Sequence, residues 1–111
     1  MKKYLIYLMQ GQKMCALHAL MNAVELAKEH EVKLIFEGQA VLLPKEFEED
    51  KNPLYLKLKE GKQIAGVCKA CATMLGSLED VKNYELPLLE EMNGHAGVKP
   101  YTDQGFEVMV F

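Results

Sequence analysis

The chain has 111 residues, of which 50% are hydrophobic and 26% charged, with a formal net charge of −3, as expected for one ordinary globular domain. All thirteen basic residues are lysines, so there is no guanidinium fork for phosphate or guanine, and no basic stripe indicates nucleic acid or a charged membrane face. No apolar run approaches the length of a membrane span.

The chain begins with Lys2 and Lys3 ahead of an apolar run, an order that signal peptides share. The run is short, contains Tyr4 and Tyr7, and is followed by no small-residue cleavage site. We therefore predict a first strand over residues 3–9 and a cytoplasmic protein. In that compartment the three cysteines are expected to be reduced, so they are reactive, metal-binding or buried thiols.

A long helix is predicted to follow the turn at Gln10–Gln12 and to run from Lys13 to Glu29. Its polar residues fall at steps of three and four, which places them in one narrow solvated stripe: His18, Asn22, Glu25 and Glu29. The remaining helix surface is more apolar than one face of a sheet requires. A contact between subunits would bury the excess.

The segment after this helix is predicted to contain one strand and two connections. Residues 31–37 are rich in apolar and branched side chains, which favours the second strand, and Gly38 ends it. A short apolar connection over 39–43 follows. The charged stretch over 45–51 is interpreted as a solvated turn.

A helix start is indicated at Asn52 and Pro53, with asparagine as the cap and proline at the first helical position, and Gly61 ends this helix. The later elements alternate, in chain order: a strand over 64–67, a helix over 69–75 closed by Gly76, a short helical turn capped by Ser77 with Asp80 completing a capping box, a strand over 86–92, a helix over 98–104 and a strand over 106–111.

Strands and helices therefore alternate along the whole chain. Such alternation predicts an α/β fold with a mostly parallel five-stranded sheet, helices on both faces and right-handed crossovers. Repeats, low-complexity tracts and linkers are absent from the sequence, so we expect one domain over residues 1–111. The strand over 86–92 is weakened by Pro87 and by the pair Glu90 and Glu91.

Ligands bind at the carboxyl ends of the strands in an open parallel sheet. Residues with functional side chains or backbone freedom follow four of the predicted strands and are expected to meet at this edge. They are Gln10, Gly11 and Cys15 after the first strand, Glu37 after the second, Cys68 after the third, and Asn93, Gly94 and His95 after the fourth. We take Gln10, Gly11, Cys15, Glu37, Asn93 and Gly94 as candidates for lining a substrate pocket.

Cys68 is the strongest candidate for a reactive residue. A thiol at a helix N-terminus meets the positive end of the helix dipole and free backbone N–H groups, and Lys69 adds positive charge. Cys71 lies one turn further on the same helical face, within range of a disulfide with Cys68. The alternative is that both are small hydrophobic core residues, as free cysteines often are.

Other interpretations of the cysteines are weaker. The Cys-x-x-Cys pair has no second pair, and Cys15, His18 and His95 could complete a zinc site only by accident of folding, so we predict no metal and no cofactor. A thioredoxin-type dithiol follows an early strand, whereas this pair lies mid-chain. His95 is suited to act as a general base or to hold an anionic sulfur species, and equally to cap a helix or lie at the surface.

Around this junction the sequence resembles the DsrE-like family of small sulfur-relay proteins. Cys68 ends a strand, and Gly76 closes the following helix eight residues later. The likeness extends over the whole chain, including the second strand with its apolar connection and the stretch from Asn93 through Tyr101 to the last strand. Leu75 stands where the family pattern often has arginine. The resemblance implies a flavodoxin-like three-layer domain that forms trimers or hexamers, with Cys68 carrying sulfane sulfur.

Two hypotheses follow for the function. In the first, the protein is a sulfur carrier in which Cys68 takes sulfur from a donor protein or small persulfide and passes it to an acceptor, Cys71 resolves the adduct, and His95 assists proton transfer. In the second, the protein is a non-catalytic oligomeric module that binds a small ligand or a protein. In that case the thiols pack, and Cys68 is buried and slow to alkylate.

Overall fold

The computed structural model describes residues 1–111 and contains five strands, six α-helices and one 3-10 helix. In chain order these are β1 (Lys3–Leu8), α1 (Lys13–Ala27), β2 (Glu31–Phe36), the 3-10 helix (Gly38–Leu42), α2 (Leu43–Asp50), α3 (Pro53–Glu60), β3 (Ile64–Cys68), α4 (Lys69–Leu75), α5 (Leu78–Asn83), β4 (Leu88–Leu89), α6 (Lys99–Thr102) and β5 (Glu107–Val110).

The strands form one sheet in the order β4-β3-β2-β1-β5, and every pairing is parallel. The chain steps in one direction from β1 to β4, so right-handed crossovers place the intervening helices on one face of the sheet. The return from β4 to β5 runs in the opposite direction and places α6 on the other face. The predicted α/β fold with helices on both faces is therefore confirmed.

The core lies between the sheet and the larger helical layer. Ile6 and Leu8 of β1 pair in register with Leu34 and Phe36 of β2, and all are fully buried. Helix α1 packs on this face through small side chains together with one leucine: Ala16, Ala19, Leu20 and Ala23. These short side chains allow the helix to approach the sheet closely.

The polar residues predicted to form a solvated stripe on α1, His18, Asn22 and Glu25, are all exposed. Met14 is 74% exposed and Met21 45% exposed, so two large apolar side chains lie beside the polar ones. The helix ends at Ala27 rather than Glu29. The apolar excess expected on this helix is therefore on its outer surface.

The charged stretch over 45–51 was predicted to be a solvated turn, and this prediction is wrong. It belongs to α2, which buries Leu43, Pro44 and Phe47 and exposes most of its charged side chains. Leu43 and Phe47 are one turn apart and face the core together. Lys51 ends the helix in the left-handed conformation, with φ of 52°.

Two other local predictions are corrected by the structure. The strand expected over 86–92 pairs with β3 only at Leu88 and Leu89, because Pro87 offers no N–H and the chain turns away at Glu90. Ser77 precedes α5 but makes no side-chain cap bond, and its hydroxyl is buried without a partner. The predicted capping box is therefore not formed, whereas Asn52 caps α3 by accepting from the N–H groups of Leu54 and Tyr55.

None of the helices is both long enough and apolar enough to cross a lipid bilayer.

Candidate functional site

Four side chains with reactive or ionisable groups meet at the carboxyl edge of the sheet. Glu37 follows β2, Cys68 ends β3, Cys71 lies in the first turn of α4, and His95 lies in the loop after β4. One donor atom from each residue lies within 4.8 Å of the others. We call these four residues the edge cluster; the sequence had predicted that they share an edge, and the structure brings their side chains into contact.

Cys68 occupies the strand-to-helix junction. Its backbone is extended, and its sulfur accepts a hydrogen bond from the Cys71 N–H at 3.4 Å, so the thiol caps α4. The Sγ atom also lies 3.4 Å from Nδ1 of His95. Cys68 is fully buried, and its sulfur lies among the side chains of Glu37, Cys71 and His95. Of these three, the histidine is a base that can take the thiol proton.

Glu37 is the anionic member of the cluster. Its Oε1 accepts from the Cys71 thiol at 2.9 Å and from the Gly38 N–H at 3.2 Å, and its Oε2 accepts from the Tyr7 hydroxyl at 3.1 Å. Burial acts to raise the pKa of Glu37, but hydrogen bonds from the Cys71 thiol, the Cys68 thiol, the Gly38 N–H and the Tyr7 hydroxyl outweigh it, and the pKa is lowered. Glu37 is therefore a carboxylate at neutral pH although its side chain is only 8% exposed.

Cys71 has a different state from the one expected for a reactive thiol. Burial, followed by the hydrogen bonds to Glu37 and Cys68, raises the pKa of Cys71 to about 12. The residue is thus a neutral thiol at pH 7 that donates to the carboxylate. Both thiols lie near His95 Nδ1, Cys68 at 3.4 Å and Cys71 at 3.7 Å. They differ in that Cys71 donates to Glu37 at 2.9 Å while the Cys68 sulfur accepts from the Cys71 N–H.

The loop that carries His95 is fixed on both sides. Asn93 and Gly94 adopt positive φ angles of 51° and 92°, so the chain turns sharply before the histidine. The Gly94 carbonyl accepts from the Ala70 N–H at 2.9 Å, which attaches the loop to the first turn of α4. The Ala96 carbonyl accepts from the Tyr7 hydroxyl at 2.8 Å. His95 is therefore positioned by contacts to two elements of the fold.

A glycine inside β3 allows the fourth strand to approach this site. Gly66 has a φ of 154°, and a Cβ atom there would lie 2.6 Å from the Pro87 carbonyl oxygen and 2.8 Å from the Leu89 side chain. A larger residue would push β4 away from β3. Because the His95 loop continues from β4, Gly66 indirectly positions the histidine.

The side chains of the other predicted residues are not members of the edge cluster. Cys15 lies on the exposed side of α1, where its thiol contacts only the Gln12 side chain, at 3.7 Å. Gln10 is exposed in the loop after β1. Gly11 lies against Gln39, since an added Cβ atom would be 2.9 Å from the Gln39 Cβ. Asn93 and Gly94 contribute backbone conformation next to the cluster.

Tyr7 was not identified from the sequence, where it counted as one of the apolar residues of the first strand. Its hydroxyl donates to both Glu37 and Ala96, and burial together with the Glu37 charge raises its pKa. The signal that could have identified it is its position as the last residue but one of β1, near the same strand ends. Tyr7 connects the carboxylate to the histidine loop.

The largest cavity does not contain the edge cluster. It has a volume of about 390 Å³ and lies between the end of the β4 segment and α6, with Met92, Gly97 and Val98 among its lining residues. The cluster itself reaches the surface through His95, whose side chain is 38% exposed.

The fold and the cluster define a small α/β domain with a parallel sheet and a thiol–histidine–carboxylate group at the carboxyl edge. The chain is 37% identical over 94 residues to the uncharacterized protein MJ0733 of Methanocaldococcus jannaschii, a match that spans 84% of this chain and 77% of the archaeal protein. The chain belongs to the same family as this archaeal protein. No protein-family model and no solved structure matches it.

Proposed function

We propose that the protein is a sulfur-relay protein of the DsrE-like type, in which Cys68 carries sulfane sulfur as a persulfide. The observation that carries this proposal is the 3.4 Å approach of the Cys68 sulfur to Nδ1 of His95 at the start of α4. A histidine in this position accepts the thiol proton, and the Cys71 N–H stabilises the resulting thiolate.

The loading step conserves atoms and electrons. The Cys68 thiolate attacks the outer sulfur of a donor persulfide, and the sulfur–sulfur bond of the donor breaks. The donor leaves as a thiolate and takes the proton held by His95. The products are a Cys68 persulfide and the donor thiol, so no external oxidant or reductant is required.

Two routes are open for unloading the sulfur. In the relay route, an acceptor thiolate attacks the outer sulfur and regenerates the Cys68 thiolate. In the resolving route, Cys71 loses its proton, attacks the inner sulfur and expels hydrosulfide, which leaves a Cys68–Cys71 disulfide. The neutral state of Cys71 beside Glu37 disfavours the second route and preserves the carried sulfur.

The exposed apolar surface supports the proposal that the protein forms a homo-oligomer, a trimer or hexamer. Met14 and Met21 of α1 and Met74 and Leu75 of α4 are all exposed, and burying such side chains favours association. Native mass spectrometry tests this proposal directly. A monomer at micromolar concentration would contradict it. The proposed compartment is the cytoplasm, where reduced thiols persist, and the proposed partners are a sulfur donor and an acceptor protein.

The sulfur-relay proposal is tested by intact-mass analysis after exposure to a low-molecular-weight persulfide. The experiment uses Cys15→Ser as the parent, because exposed Cys15 would react on its own. We expect one added sulfur in the parent and none when Cys68→Ser is introduced. A parent that gains no sulfur from several donors, or a double variant that gains as much as the parent, would contradict the proposal.

The second candidate is a binding or assembly module with structural thiols, and the complete burial of Cys68 favours it. A thiol that never opens to solvent cannot receive sulfur from a partner. In this case Cys68 resists alkylation in the native protein even after hours with a small haloacetamide, and oligomer mass is unchanged in Cys68→Ser. Alkylation of native Cys68 within minutes would exclude this candidate.

A further inference from the structure

From the geometry of the edge cluster we infer a second property, namely a tetrahedral binding site for a zinc-type divalent ion formed by Glu37, Cys68, Cys71 and His95. The inference does not depend on sulfur relay. It requires only that four suitable donors converge in space. The sequence alone offered a single Cys-x-x-Cys pair, and Cys15 and His18 lie elsewhere on the exposed side of α1.

The distances from His95 Nδ1 to the other three donor atoms match the edges of a zinc tetrahedron. With Zn–S bonds of about 2.3 Å and Zn–N or Zn–O bonds of about 2.0 Å, neighbouring donors are separated by about 3.3 to 3.8 Å. His95 Nδ1 lies 3.4 Å from the Cys68 sulfur and 3.7 Å from the Cys71 sulfur, and 3.8 Å from Glu37 Oε1. The Cys71–Glu37 separation of 2.9 Å would widen when the thiol proton is replaced by the ion.

The chemistry of the four donors selects the class of ion. Two thiolates and an imidazole are the ligands that zinc prefers in proteins, while magnesium and calcium require oxygen ligands. The carboxylate of Glu37 supplies the fourth position. Binding exchanges both thiol protons for the ion, so protons are released to solvent and no change of oxidation state occurs.

The donors are already held in place by the fold. Glu37 and Cys68 are buried at the ends of neighbouring strands, and Cys71 is fixed by the first turn of α4. Tyr7 donates to the second oxygen of Glu37 and to the carbonyl beside His95, which is the type of outer contact that orients metal ligands. The exposed side of His95 gives the ion a path from solvent.

The test is a titration of the metal-free, reduced protein with Co²⁺, which replaces zinc and reports its ligands by absorption. We expect saturation at one equivalent, with visible bands of tetrahedral intensity and a thiolate charge-transfer band in the near ultraviolet. Adding Zn²⁺ should remove both. The matched controls Cys15→Ser and His18→Gln should give the parent spectrum.

The variants assign the ligands. Cys71→Ser should lose about half of the charge-transfer intensity, because one of the two thiolates is removed. Tyr7→Phe should keep the spectrum but weaken Co²⁺ binding about tenfold, as outer contacts typically do, and Glu37→Gln should weaken it more. Circular dichroism verifies that each variant is folded. If Cys68→Ser is unfolded, Cys71→Ser and Glu37→Gln still decide the result.

Sulfur loading is measured on the metal-free protein, and cobalt binding is measured on protein that has not been exposed to a persulfide. The two experiments are therefore independent, and either proposal can be contradicted without the other. The site is overturned if no charge-transfer band develops at one equivalent of Co²⁺. It is equally overturned if Cys71→Ser keeps the full band, or if Cys15→Ser removes it.

Discussion

The molecule contains one buried glutamate, Glu37, and one partly buried glutamate, Glu48. Each accepts a hydrogen bond from a tyrosine, and their other partners differ. Glu48 in α2 accepts from Tyr55 at 2.9 Å and forms an ion pair with Lys59 of α3. Glu37 accepts from Tyr7 at 3.1 Å, but its remaining partners are a thiol, a backbone N–H and a histidine. Burial and the adjacent carboxylate raise the pKa of both tyrosines.

The difference indicates what each glutamate does. A lysine of the same chain neutralises the charge of Glu48. The contacts among Glu48, Tyr55 and Lys59 therefore attach α2 to α3 and leave no charge unbalanced. Glu37 forms no ion pair with a lysine, and His95 is its only titratable cationic partner. A buried carboxylate without a permanent counter-charge is characteristic of functional sites, where a proton or a cation completes the balance.

The largest expected contrast concerns the reactivity of the thiol beside Glu37. At pH 8 we expect Cys71 to react with a haloacetamide at least ~100-fold more slowly than free cysteine, since its pKa of about 12 leaves little thiolate. The rate is obtained by peptide mass spectrometry in Cys15→Ser. Alkylation of Cys71 as fast as free cysteine would show that Glu37 does not keep the thiol protonated.

The second contrast concerns stability. Glu48→Gln should lower the free energy of unfolding by about 2 kcal/mol, because Lys59 loses its partner in a mostly buried pair. Glu37→Gln should cost less than about 1 kcal/mol, because the amide oxygen can still accept from Tyr7 or Gly38. Urea unfolding measures both. Equal losses would mean that the two carboxylates have the same structural role.

The third contrast returns to Cys71. Glu37→Gln removes the negative charge that helps to hold its pKa high, so the pKa should fall and alkylation at pH 8 should become about tenfold faster for each unit of decrease. Glu48→Gln is the matched control and should leave the rate unchanged. A rate in Glu37→Gln no higher than in the parent would assign the high pKa to burial alone.

The smallest contrast compares the two tyrosines. Tyr55→Phe should destabilise the fold by about 1 kcal/mol, since it leaves one hydrogen bond of the partly buried Glu48 carboxylate unmade. Tyr7→Phe also removes the hydrogen bond to the Ala96 carbonyl, but it should have a smaller effect on unfolding because Glu37 retains two other donors. Thermal melts of the two variants side by side test the order, and a larger loss in Tyr7→Phe would reverse the assignment of structural and functional groups.

Much of the fold could be predicted because the strands are short apolar runs separated by strong start and stop residues. Asn52–Pro53 and Gly76 are such signals, and both function as predicted. Helix α2 could not be recognised, because charged residues surround Phe47, its single large apolar side chain after Pro44. The fourth strand is short because the chain turns away from β3 at Glu90, and where pairing ends at a sheet edge depends on tertiary contacts that a sequence pattern does not contain.

The candidate site was predicted in part. Because parallel strands end at one edge of a sheet, the sequence predicted that Glu37, Cys68 and His95 lie close together. Helical spacing predicted that Cys71 lies near Cys68. The sequence could not show that Cys15 faces solvent, since the apolar surface of α1 was wide enough for several orientations. Nor could it show that Tyr7 extends its hydroxyl beyond its strand to Glu37, because an aromatic residue in an apolar run resembles core.

The central claim is that the Cys68–His95 contact makes this edge reactive toward sulfur, and the rate of sulfur loading tests it most directly. Loading from a low-molecular-weight persulfide is followed by mass spectrometry in Cys15→Ser and in the same background with His95→Gln or His18→Gln. We expect His95→Gln to load about 100-fold more slowly, the usual scale of acid–base assistance, and His18→Gln to match the parent. Equal rates in all three proteins would contradict the claim.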